Sequence, residues 1–127
     1  MIALSRAINA RPTMELKMKY RTFALFALAC APAFAVDLPL SVPSDSKAKY
    51  TVLQKGASGN NRTITTKREG SSGVSYSKRL YNCSESTVKY LGSGDTMEQM
   101  KASKPDPGMA PIVPGSIAYY VGAEACR

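Results

Sequence analysis

Few residues in this chain are placed to do covalent chemistry. It contains no histidine, which removes histidine-based triads, imidazole general bases and most zinc sites together. Three pairs, Ser44–Lys47, Ser75–Lys78 and Ser86–Lys89, match the S-x-x-K arrangement in which a lysine activates a serine. That arrangement needs a helix to bring the two side chains together. Here the pairs fall in a linker and in strand-like segments, where residues three apart point to opposite faces. Met97, Met100 and Met109 offer soft thioethers of the kind that hold copper, but methionines beside a short helix are more simply packing. Asp95 and Glu98 form a close carboxylate pair with no second pair to complete acid–base work. The expectation is therefore no catalytic residue, no metal and no cofactor: a protein that is not an enzyme.

The cysteines carry a different chemistry. The stretch "MKYRTFALFALACAPAFAVD" reads as a secretory signal peptide, with Lys19 and Arg21 before an apolar run from Phe23 to Ala31 and Ala33-Phe34-Ala35 as the cleavage site. The run from Phe23 to Val36 contains Pro32 and falls short of the ~18 residues of a membrane span. Residues 1–35 are assigned to this segment and set aside, the part before Met18 being either an unusually long n-region or an upstream start wrongly included. A lipid on Cys30 would be the other use of such a cysteine. However, Leu28 stands too close to it for a lipoprotein signal, and cleavage after Ala35 fits better. Cys83 and Cys126 then remain, and an even count in an exported chain reads as a disulfide. A single domain as small as Val36–Arg127 is marginal without such a staple.

The basic residues suggest a binding surface. The whole-chain net charge is +8, but Arg6, Arg11, Lys17, Lys19 and Arg21 all lie in the excluded segment. The remaining excess suits acidic partners and does not argue for nucleic acid. Lys67-Arg68 and Lys78-Arg79 sit on neighbouring strand-like segments with Tyr76 and Tyr81 close by. On one sheet face they would present a basic, aromatic surface to an acidic protein or an acidic glycan. The same residues would also serve as a solvated face whose lysines guard an edge. The membrane enters only through the signal peptide or a lipid on Cys30.

Short elements must position these groups. Residues 36–47, with Pro39 and Pro43, read as an extended linker, and 48–127 as the domain. Tyr50–Leu53, "NRTITTKRE", "GVSYSKRLYNC" and "STVKYL" have strand character, separated by Gly/Ser spacers that supply turns. Such a series predicts an antiparallel meander. In the third segment Val74, Tyr76 and Leu80 alternate with Arg79, Tyr81 and Cys83. "TMEQMKASK" allows one or two helical turns. Pro105, Pro107, Pro111 and Pro114 make the next stretch a loop. Ser116 then caps a helix over Ile117–Cys126, with Ile117, Tyr120, Val121 and Ala125 on one side.

The segment "RLYNCSESTVKYLGSGD", the proline-rich loop and "PGSIAYYVGAEAC" together resemble the surface-adhesin protein E-like family of exported proteins from Gram-negative bacteria. The matching positions are Cys83, Tyr90, Pro114-Gly115-Ser116 and Cys126, over roughly Tyr76 to Arg127. The resemblance implies an α+β fold, a small curved antiparallel sheet with the C-terminal helix tied to it by the Cys83–Cys126 bond. It also implies a location in the periplasm or on the cell surface, and an adhesin-like role in recognising host matrix proteins. The rival expectation is a periplasmic accessory protein of an envelope assembly, with no host ligand.

Overall fold

The structure, a computed structural model, describes residues 34–127; Cys30 and the signal-peptide features before Phe34 lie outside them. Six strands run in chain order: β1 (Phe34–Leu40), β2 (Lys49–Ser58), β3 (Asn61–Gly70), β4 (Gly73–Asn82), β5 (Thr87–Gly94) and β6 (Ala110–Pro111). They form one antiparallel sheet in the order β1-β2-β3-β4-β5-β6, so each strand pairs with its sequence neighbour. The sheet is not closed into a barrel. Two helices complete the fold, α1 (Met97–Ala102) and α2 (Ile117–Ala125). Among the described residues no helix is long and apolar enough to cross a membrane.

The expected meander is present, with an extra strand at each edge. Residues 36–47 are not a linker. Val36–Leu40 belong to β1, and Pro43–Asp45 form a 3-10 turn. Pro39 is compatible with this because β1 is an edge strand, where a missing backbone N–H disrupts least. Pro111 is likewise confined to the short opposite edge.

Register assigns each side chain to a face, because directly paired residues of antiparallel strands share one. Val52 pairs with Thr66, Ile64 with Arg79 and Tyr81 with Val88. Val52, Ile64 and Tyr81 are fully buried and form the core with Val121 and Ala125 of α2, with Val36, Leu40, Val88, Ile112 and Ile117 packed around them. This is the core face. Thr65 pairs with Lys78, and Lys67 with Tyr76, on the opposite, lysine face.

Each helix lies on a different face, and glycines allow both approaches. A Cβ at Gly122 of α2 would stand 2.5 Å from the Tyr81 ring, so this residue, unfavourable in a helix by itself, is what lets α2 reach the sheet. The Tyr81 hydroxyl donates to the Ala118 carbonyl at 2.7 Å, which satisfies the polar end of a buried ring. Gly92 and Gly94 face Lys78 and Tyr76 across the ladder. A side chain at either would collide with α1 at Met100 or Gln99, so α1 sits on the lysine face with Met100 buried. Thr96 and Ser116 cap the two helices, accepting from the Gln99 and Tyr119 amides.

Cys83, at the start of the β4–β5 turn, is bonded to Cys126, the C-terminal cap of α2, with Cα atoms 5.9 Å apart. The bond closes a span of 43 residues, worth ~4 kcal/mol in the chain-entropy model. Both cysteines lie at the surface. The bond therefore fixes the helix end from outside while Val121 and Ala125 fix it from within.

Candidate binding surface

The four basic residues read from the sequence do not form one surface. Consecutive residues of a strand point to opposite sides, so Lys67 and Lys78 lie on the lysine face and Arg68 and Arg79 on the core face. Lys67 is engaged by Glu69, 3.2 Å away on the same strand, and this carboxylate raises its pKa. Arg68 holds Asp45 of the 3-10 turn through Nε to Oδ2 at 2.7 Å and Nη2 to Oδ1 at 3.3 Å. The Tyr50 hydroxyl donates to the same carboxylate at 2.6 Å. Arg68 and then Tyr50 hold the Asp45 carboxyl below its ordinary 3.8. Burial, reinforced by Asp45, pushes Tyr50 up to about 12. These groups bolt the turn to β2 and β3; they are structural.

Arg79 is the larger departure from expectation, being only 4% exposed. Its guanidinium donates to Thr66 Oγ1 at 3.1 Å and to the Tyr90 hydroxyl at 3.0 Å, and lies 4.7 Å from the centre of the Tyr90 ring. Its Nε is buried with no hydrogen-bond partner among the described residues. The cation–π contact and two hydrogen bonds offset part of the desolvation of the charge. Arg79 is thus a core residue and offers no guanidinium to a partner. Neighbouring Tyr81 has its phenol pKa raised, by burial above all.

Among the described residues, Lys78 alone of the four is neither buried nor paired with a carboxylate, and it lines a cleft on the lysine face. This cleft of ≈ 240 Å³ lies between the sheet and α1, bounded by Gln54, Thr65, Lys78, Leu91, Gly92, Met97, Met100 and Lys101. Two bulges shape it. One between Val52 and Gln54 moves Gln54 opposite Thr65; an unbroken register would place Gln54 opposite Ile64, on the core face. The other follows Lys78, so that Gly92 rather than Leu91 stands across from it. A side chain is removed from the floor at that point. Sequence reading missed Lys101, Gln54 and Thr65. The spacing of Met97, Met100 and Lys101 on one side of a helix was visible in the sequence, whereas the bulges had no comparable signal.

A second, more apolar groove of ≈ 390 Å³ lies along the disulfide, lined by Ile112, Pro114, Tyr119 and Ala123, with no charged side chain in its lining. The remaining sequence candidates do not assemble. Ser75 and Lys78 lie on opposite faces of β4, and Asp95 and Glu98 are exposed at the start of α1. Met109, in the loop between α1 and β6, does not line the cleft that Met97 and Met100 share.

Comparison with known proteins returns no match: no family model, no curated sequence and no solved structure aligns with the chain. The resemblance to the surface-adhesin protein E-like family therefore rests on Cys83, Tyr90, Pro114-Gly115-Ser116 and Cys126 alone.

Proposed function

We propose that this chain is an exported binding module of the periplasm or cell surface, adhesin-like in that it recognises a host matrix protein. The observation that carries this reading is the Cys83–Cys126 bond. It joins two surface cysteines in a fold with a small core, a combination that suits a compartment where thiols oxidise and persist as disulfides. The resemblance supports the same reading, since its matched positions are the two cysteines and the P-G-S start of α2. The unengaged lysine on the face away from the core supports binding to an acidic protein.

The test is direct. Intact mass of the exported protein fixes the cleavage site, reports any lipid on Cys30 and shows the oxidised cysteines. Immobilised matrix proteins should then retain the protein with an affinity that falls as salt rises. Failure to bind any of them, together with a stoichiometric partner recovered from the native envelope, overturns the adhesin reading in favour of an envelope accessory protein.

A further inference from the structure

We infer that the cleft between α1 and the lysine face is a receptor for a single carboxylate-bearing side chain of a partner protein; this deepens the binding-module reading and rests on it. The charges favour an anion. Lys78 and Lys101 both line the cleft, none of the lining residues is acidic, and neither lysine forms an ion pair among the described residues. By contrast, Lys55, Lys67 and Arg68 are each engaged by a carboxylate. A carboxylate entering here would accept charge-assisted hydrogen bonds from two ammonium groups, with the Gln54 amide and the Thr65 hydroxyl as further polar groups in the wall.

The apolar part of the lining favours a peptide over a sulfated glycan. Met97, Met100 and Leu91 supply soft, adaptable surface, which suits the methylene stem of a glutamate and an aliphatic neighbour. The size points the same way. At ≈ 240 Å³ the cleft falls below the roughly 300–1,000 Å³ of sites for drug-sized molecules and cofactors, so it suits one side chain at the centre of a larger contact.

The methionines provide the readout. The exported, oxidised protein is labelled at its methionine methyl carbons and titrated with a short peptide carrying one glutamate beside a leucine. A twin peptide with glutamine, inorganic phosphate and a sulfated disaccharide serve as further arms. The glutamate peptide is expected to shift the Met97 and Met100 methyl signals while Met109, which does not line the cleft, stays still. The glutamine twin should bind about tenfold more weakly or worse, as expected for losing a charge-assisted interaction. Lys78→Met with Lys101→Met should weaken the glutamate peptide similarly, and Lys78→Arg with Lys101→Arg should retain it. An unchanged Met109 signal in these variants shows that the fold is intact. Equal shifts with the glutamine twin, no shift at Met97 and Met100, or tighter binding of the disaccharide overturns the proposal; so does phosphate reproducing the whole response, which would mean an adventitious ion only. A domain that binds a matrix protein with these lysines removed refutes the cleft and leaves the module standing. The glutamate peptide binding while no matrix protein does refutes the adhesin reading and leaves the cleft standing.

Discussion

At the scale of single residues, Arg79 shows how a cation can be built into a sheet without a carboxylate. Thr66, the Tyr90 hydroxyl and the Tyr90 ring together hold its guanidinium. Lysine cannot reproduce that fork, so Arg79→Lys should lower stability by about 1–2 kcal/mol in denaturant unfolding. Removing the charge and its hydroxyl partner together, as Arg79→Met with Tyr90→Phe, should return to within about 1 kcal/mol of the parent, because buried charges tolerate apolar replacement better than half-removal. Titration gives a second expectation at this scale. Asp45 has a lowered pKa in the fold because of Arg68. The stability it contributes is present above its ordinary 3.8 and lost as pH falls through the lower, folded value. Tyr50 and Tyr81 are shifted upward, so folding keeps protons that the unfolded chain releases above about pH 10. Stability should therefore fall again as pH rises from there toward the folded values. Denaturant midpoints measured across pH should show both limbs. Asp45→Asn should flatten the acidic one and Tyr50→Phe should reduce the alkaline one.

At the scale of elements, α2 is held by three devices acting in different places: the Tyr81 hydroxyl near its start, the Gly122 contact at its middle and the disulfide at its end. Cys126→Ser should lose about 4 kcal/mol and expose the last turn to amide hydrogen exchange; unchanged protection at Val121–Ala125 would refute the clamp. Gly122→Ala gains helix propensity, yet should destabilise by about 1–3 kcal/mol because its methyl group meets the Tyr81 ring. Elements also mark what the sequence could and could not disclose. The strands around Ile64, Arg79 and Val88 announced themselves through alternation and glycine-rich spacers, and Ser116 announced α2. β1 was hidden because Pro39 looks like a linker residue, though an edge strand accepts it. The error over the basic residues was avoidable: Lys67-Arg68 and Lys78-Arg79 are adjacent pairs, and a period of two must split each between faces. The bulge beside Gln54 was not legible, because it follows from how β2 bends against β3 and from no residue type of its own. The cleft depends on that bulge, so it could be found only in three dimensions.

At the scale of the whole molecule, the strict neighbour-to-neighbour order of the strands means that every pairing is made with a segment already present. A chain released N-terminus first can therefore grow the sheet hairpin by hairpin as it emerges. The disulfide cannot form that way. Cys126 follows Cys83 by 43 residues, and β5, β6 and α2 all lie between them, so the Cys83 thiol must wait for every one of those elements. A chain truncated before Ser116 should present Cys83 to a maleimide probe, whereas the oxidised protein should resist it. Such a truncated copy would lack both the α2 side of the core and the covalent lock, and limited proteolysis should cut it faster. Closure of the bond thus registers that the last core element has docked.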